Sequence, residues 1–156
     1  MKITKMEEQG ILLAMCIAKR GSQMTLPELA EEECLSEALI AKVMGKLRRG
    51  GIVNAARGRT GGYELTAAPE AITVIGILRS LERPLLDGCV GSGGQSDNSI
   101  CPHISDCGLR PVWQLLENNI MQVLDKLTLA DLIERERDVR EKVTVFRQGY
   151  MRGGRA

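Results

Sequence analysis

The sequence predicts a mainly α-helical fold with one small β-hairpin. Two helical stretches joined by a short connection lie between residues 25 and 49, and two short apolar stretches flank a glycine-rich turn at residues 57–62. A long apolar stripe at helical spacing begins after Pro111. The few aromatic residues predict an aliphatic core. They are Tyr63, Trp113, Phe146 and Tyr150.

Capping signals predict where the first helices begin. Thr4 with Glu7, and Thr25 with Glu28, each match a capping box, in which a hydroxyl and a carboxylate satisfy free backbone N–H groups. Ser36 is the expected cap of the next helix, which ends at the glycine pair of residues 50–51. Two helices with so short a connection predict a helix-turn-helix, whose second helix is the candidate recognition helix.

A hairpin follows this pair of helices. Residues 52–56 and 63–65 are expected to be its strands, and Arg57 and Arg59 lie in the glycine-rich turn between them. An exposed arginine at such a tip can enter a minor groove of DNA. The predicted fold is therefore a winged helix-turn-helix domain followed by a long dimerisation helix.

The charge pattern indicates where nucleic acid would bind. The net charge is only +1, yet residues 42–59 contain six basic residues and no acidic one. Lys42 is expected to reach guanine or a phosphate, and Arg48 and Arg49 are expected to contact phosphates. The candidate DNA-binding residues are Ser36, Glu37, Ala38, Ala41, Lys42, Lys46, Arg48, Arg49, Arg57 and Arg59.

Three of the five cysteines lie in one polar segment, as Cys89, Cys101 and Cys107. This segment is rich in Gly, Ser, Asp and Asn, so it cannot bury enough apolar surface to order itself. Thiolates on such a segment suit a soft metal centre. Thiols that are oxidised directly or form a disulfide are the alternative. Cys16 and Cys34 lie in helical, apolar stretches and are expected to be buried.

The apolar stripe after Pro111 predicts one long helix. The preceding domain is small, so pairing with a second chain is the simplest way to cover it. Trp113 is expected in the core or in this dimer interface. Four regions are predicted: a winged helix-turn-helix domain at 1–83, a cysteine-rich cluster-binding loop at 84–109, dimerisation and C-terminal helices at 110–147, and a disordered tail at 148–156.

No stretch has the length and apolarity of a signal peptide or a membrane span, so a cytoplasmic protein with no membrane partner is expected. Enzymatic activity is not expected. The single histidine, His103, stands on the polar cysteine segment, and no residue pair supplies a base with an orienting group.

The order and spacing of several stretches resemble those of the Rrf-two-type winged-helix transcription regulators, over residues 1–133. These stretches are residues 1–4, 26–31, 47–53, 57–63, 72–73, 110–113 and 123–132, together with the three cysteines. The resemblance implies a homodimer, joined through the long helix, that binds a double-stranded DNA operator as a repressor or dual regulator. It also aligns Arg57 with the arginine of the family's wing.

The resemblance further implies an iron–sulfur cluster that senses redox state, nitric oxide or iron supply. Cys89, Cys101 and Cys107 would be its ligands. One branch of the family supplies a histidine as fourth ligand where this chain has Arg110. Other branches use an acidic residue from the partner subunit, at the position of Glu8, and His103 is a competitor for that place. A 2Fe-2S cluster is slightly favoured over 4Fe-4S.

Two other functions fit the same residues. A cluster-free winged-helix regulator could sense thiol oxidation or bind a metabolic enzyme. A winged-helix adaptor would use the basic stripe for a protein and would bind no DNA. Salt dependence of binding to duplex DNA separates the adaptor from a regulator, since phosphate contacts make binding steeply salt-dependent.

Overall fold

The computed structural model describes residues 4–56, 61–81, 95–96, 99–100 and 106–153. The helices are α1 (Lys5–Arg20), α2 (Leu26–Glu33), α3 (Glu37–Arg49), α4 (Val74–Ser80), α5 (Leu109–Lys126), α6 (Leu129–Leu132) and α7 (Glu136–Gly153). The strands are β1 (Val53–Ala56), β2 (Gly62–Leu65), β3 (Gln95–Ser96) and β4 (Ser99–Ile100). The predicted mainly α fold with a hairpin wing is confirmed.

The capping boxes predicted at Thr4 and Thr25 are present, whereas Ser36 precedes α3 without a cap hydrogen bond from its side chain. The backbone N–H of Thr4 donates to the Glu7 carboxylate at 2.6 Å, and that of Thr25 donates to the Glu28 carboxylate at 2.8 Å. Helix α1 ends at Gly21, whose φ of 66° is a left-handed conformation that glycine adopts without steric cost. Each of the two capping boxes satisfies backbone groups that would otherwise lack partners, and is worth about 1 kcal/mol.

The core is aliphatic, as predicted. Helices α1, α2 and α3 enclose it with β1 and the later half of α4, and Tyr63 is the one aromatic residue of the described part that packs against it. Its fully buried side chains are Leu13, Met24, Leu29, Ile40, Val43, Met44, Leu47, Val53, Ile77 and Leu129. This core fixes the orientation of α3, because that helix contributes its whole inner face.

A backbone bridge joins the C-terminal part of the chain to this core. Thr73 and Thr128 form an antiparallel bridge. The N–H of Val74 donates to the Leu127 carbonyl at 2.8 Å, and the N–H of Leu129 donates to the Ile72 carbonyl at 2.7 Å. The end of α5 and all of α6 are thereby held against the winged-helix domain.

Helix α7 is connected to α6 by ion pairs. The Lys142 ammonium lies 2.6 Å from a carboxylate oxygen of Asp131 and 2.8 Å from one of Glu134. The helix continues to Gly153, and so includes the first residues of the segment 148–156 that the sequence predicts to be a tail. No helix of the described residues combines the length and apolarity needed to cross a membrane.

Candidate DNA interface and metal-ligand residues

The turn between α2 and α3 is made by Cys34. Its φ of 51° is the one left-handed conformation of a non-glycine residue in the described chain. The N–H groups of Cys34 and Leu35 both donate to the Ala30 carbonyl, the second at 3.1 Å. This closes α2 and turns the chain sharply into α3, as a helix-turn-helix requires.

Helix α3 has one buried face and one exposed face. Ile40, Val43, Met44 and Leu47 are fully buried on its inner side. The opposite side carries the predicted DNA-binding residues that are exposed, namely Ser36, Glu37, Ala38, Ala41, Lys42, Arg48 and Arg49. Basic side chains of this exposed face cluster toward the C-terminal end of the helix, where they also complement its dipole.

Lys46 differs from the other basic residues of α3. Its side chain is half-buried, and its Nζ donates to the backbone carbonyl of Leu81 at 3.2 Å. Leu81 follows the last residue of α4. This member of the predicted DNA-binding set is therefore engaged inside the protein.

The wing is hydrogen-bonded to Met24, which lies just before α2. Strands β1 and β2 pair in antiparallel register, with Asn54 opposite Glu64 and Ala55 opposite Tyr63. Met24 and Tyr63 form a further bridge, with N–H···O distances of 2.9 and 2.7 Å. The hairpin therefore leaves the core at a fixed angle beside the helix-turn-helix. Its predicted tip arginines, Arg57 and Arg59, lie outside the described residues.

Glycine is required at the base of the wing. A Cβ on Gly62 would lie only 2.7 Å from the carbonyl oxygen of Met24. Backbone cannot move away as a flexible side chain can, so this glycine permits the bridge between Met24 and Tyr63.

The predicted metal ligands are described only in part. Glu8 is exposed in the first turn of α1, and Cys107 is a half-buried free thiol just before α5. Cys89, Cys101 and His103 lie outside the described residues. Within the part of the chain that is described, no three His, Cys, Asp or Glu side chains form a group able to hold a metal ion. The half-buried thiol of Cys107 is the type of donor that an iron–sulfur cluster needs, whereas a carboxylate such as that of Glu8 is a poor ligand for so soft a centre.

The two remaining cysteines have different environments. Cys16 is buried, with its Sγ 3.7 Å from the Met24 sulfur. Burial, helped by the negative charges of Glu32 and Glu33, raises the pKa of its thiol to about 11. Cys34 is exposed, so the prediction that it is buried was wrong. The signal that could have found this is its position at the C-terminal cap of α2, where a side chain points away from the core.

The first half of helix α5 carries apolar side chains that remain exposed among the described residues. Its later residues Val123 and Leu124 pack against Val74 and Leu78 of α4. The same stripe continues toward the start of the helix, but no residue of α5 is buried. The exposed apolar side chains of this first half are Leu109, Val112, Trp113, Leu115 and Leu116.

Comparison with known proteins agrees with this architecture. A family model for Rrf2, an iron-dependent transcriptional regulator, matches residues 3–135. The HTH-type transcriptional regulator CymR of Bacillus subtilis is 30% identical over 134 residues, which cover 85% of this chain and 89% of CymR. Protein aau3 of Rhizobium meliloti is 28% identical over 135 residues, 86% of each chain.

Solved structures give the same result. CymR, the global cysteine regulator of B. subtilis, matches with a TM-score of 0.65 at 28% identity, over 85% of this chain and 96% of that one. IscR of T. potens matches with a TM-score of 0.64 at 29% identity, over 85% and 86%. The fold and these relatives define a winged-helix transcription regulator. Because the family model covers most of its length, the chain belongs to the Rrf2 family.

Proposed function

We propose that the protein binds an operator in double-stranded DNA through α3 and the wing. The exposed, basic outer face of α3 carries this proposal, because the buried inner face leaves that side of the helix available to a major groove. We expect Lys42 to reach base edges or a phosphate, and Arg48 and Arg49 to contact phosphates; all three are exposed. Arg57 and Arg59 belong to the wing that would reach the adjacent minor groove.

The uncovered apolar stripe on the first half of α5 supports a homodimer. Trp113 and Leu116 are 39% and 42% exposed in the single chain, although they continue a stripe whose second half is packed. A second copy of α5 would cover them by the isologous contact that two-fold symmetry produces. Two recognition helices would then meet two half-sites of one operator.

The regulatory site proposed is the cysteine segment. Cys89, Cys101 and Cys107 would hold an iron–sulfur cluster with Glu8 of the partner subunit as fourth ligand and His103 as its competitor. Support comes from the free, half-buried thiol of Cys107 and from the exposed carboxylate of Glu8. A bound cluster would supply a redox-active centre sensitive to oxidants, nitric oxide or iron supply. We favour 2Fe-2S over 4Fe-4S.

Anaerobic purification tests the cluster. We expect coloured protein that contains iron and sulfide, and a Cys101→Ser variant that loses the visible absorption. Cys34→Ser is the matched control, since Cys34 is exposed but lies outside the segment, and it should keep the colour. A duplex that the protein selects from a random pool then serves as operator DNA. The affinity of the protein for this duplex is compared with and without the cluster. Colourless, iron-free protein with normal operator binding would overturn this proposal.

A cluster-free regulator is the second candidate, and the similarity to CymR at 30% identity favours it. In that case the thiols of the segment would respond directly to oxidation, or the protein would bind a metabolic enzyme. Iron-free protein whose DNA affinity changes on mild peroxide treatment, and whose Cys101→Ser variant no longer responds, would support thiol oxidation. Iron-free protein that retains a metabolic enzyme from the host extract would support enzyme binding.

A further inference from the structure

The recognition helix α3 meets the C-terminal end of α4 at two points. The Lys46 Nζ lies 3.2 Å from the carbonyl oxygen of Leu81, and Gly50 lies directly against Ser80. Leu81 is itself buried, and its side chain fills the space beside Gly10 of α1. Residues 80 and 81 therefore join the first, third and fourth helices.

The Lys46–Leu81 contact has a clear physical role. The last carbonyl groups of a helix lack partners within the helix and carry partial negative charge. An ammonium group placed on one of them satisfies the carbonyl and is attracted by the helix dipole. Because the Lys46 side chain is half-buried, the contact also restrains α3.

Lys42 provides the contrast within the same helix. It lies one turn earlier and is exposed, while Lys46 is half-buried and engaged with α4. The exposed Lys42 ammonium is open to a phosphate, whereas Lys46 would have to give up its hydrogen bond to Leu81 to reach one. The two lysines therefore have different environments although both lie in the basic stretch.

We propose that Lys46 is a positioning residue that fixes the angle between α3 and α4 and does not contact DNA. This proposal rests on the proposed binding of DNA by α3. The contact also connects α3 to the cysteine segment along the sequence, because Leu81 directly precedes residues 82–107, which contain Cys89, Cys101 and Cys107. A change in that segment could therefore alter the position of α3.

Salt dependence of binding separates the two roles. Loss of one phosphate contact lowers the slope of log affinity against log salt by about one. We expect Lys42→Met to lower this slope. Lys46→Met should keep the wild-type slope and weaken binding by roughly two- to thirtyfold at every salt concentration. Lys46→Arg retains a donor and should bind nearly as wild type does.

A measurement without DNA tests the contact itself. We expect Lys46→Met to accelerate amide hydrogen exchange in residues 78–81 of the free protein, and Lys42→Met and Lys46→Arg to leave it unchanged. A Lys46→Met variant that lowers the slope as Lys42→Met does, or that leaves this exchange unchanged, would overturn the proposal. If neither the wild type nor any variant binds duplex DNA, the proposed function fails. The amide hydrogen exchange of residues 78–81 still decides whether Lys46 restrains α4.

Discussion

Gly50 and Ser80 pack so closely that no side chain fits at position 50. A Cβ on Gly50 would lie 2.1 Å from the Cβ of Ser80 and 2.7 Å from its Cα. Ser80 is buried, and its hydroxyl donates to the Ile77 carbonyl at 2.6 Å. The glycine that ends α3 is thus needed for its contact with α4, in addition to ending the helix.

We therefore predict that Gly50→Ala lowers the free energy of unfolding by about 1–3 kcal/mol, because two packed backbones must separate. Gly45→Ala is the matched control in the same helix. A Cβ there would meet only the end of the Arg49 side chain at 3.9 Å, so helix propensity should stabilise this variant by up to about 1 kcal/mol. Thermal unfolding followed by circular dichroism measures both, and equal melting temperatures would contradict the prediction.

The ion pair between Asp131 and Lys142 predicts an acid dependence of stability. The Lys142 ammonium, followed by the N–H and hydroxyl of Thr128, lowers the pKa of Asp131 from 3.8 to about 2. The unfolded chain therefore binds the proton more tightly than the folded one. This contribution is fully present above pH of about 4 and is lost as the pH falls toward 2.

We expect Asp131→Asn to cost about 1 kcal/mol at neutral pH, a modest figure because Lys142 is 41% exposed and partly screened. The variant should also lose this part of the acid dependence. Urea unfolding across the acid range measures both effects. Glu136→Gln is the control, since its pair with Arg140 is largely exposed and should contribute almost nothing. An unchanged acid profile in Asp131→Asn would refute the assignment.

The uncovered stripe of α5 predicts a change in oligomeric state. Leu116→Lys places a charge in the proposed dimer interface, where it would be desolvated. We therefore expect the dissociation constant of the dimer to rise about tenfold or more. Asn118→Lys adds the same charge on the opposite side of the helix, about 200° around, and should leave the dimer intact. Sedimentation equilibrium measures the monomer–dimer equilibrium of the wild type and both variants. A wild-type protein that is monomeric would contradict the proposed dimer interface.

Cys34 and Cys16 should differ in reactivity. Cys34 is exposed, whereas Cys16 is buried with its pKa raised to about 11. The thiolate is the reactive form, so we expect iodoacetamide to modify Cys34 in the folded protein and Cys16 only after unfolding. Mass spectrometry of peptides from labelled protein measures each site. Early modification of Cys16 would show that α1 opens more readily than its packing indicates.

Local features of this chain could be predicted from its sequence. The caps at Thr4 and Thr25 depend on residues three positions away, so the sequence contains both partners. The buried face of α3 follows from helical spacing, and the wing follows from its glycines. The DNA contacts, the cluster ligands and the four region boundaries stay predictions.

Long-range contacts could not be predicted in this way. The Lys46–Leu81 hydrogen bond joins residues 35 positions apart, and neither residue type signals the other. The bridge between Thr73 and Thr128 likewise depends on tertiary packing alone.

The bridge between Thr73 and Thr128 makes Leu127 the point about which α5 would rotate. The N–H of Val74, at the start of α4, donates to the Leu127 carbonyl, so the end of α5 is hydrogen-bonded to the winged-helix domain. Helix α5 has 18 residues, which corresponds to about 27 Å. A rotation of about 10° at Leu127 would move the start of α5, at Leu109, by about 5 Å. This is more than one base-pair step of about 3.4 Å. In a dimer joined along α5, the spacing between recognition helices would therefore respond to small rotations at Leu127, and the displacement would be largest at the end of α5 next to Cys107.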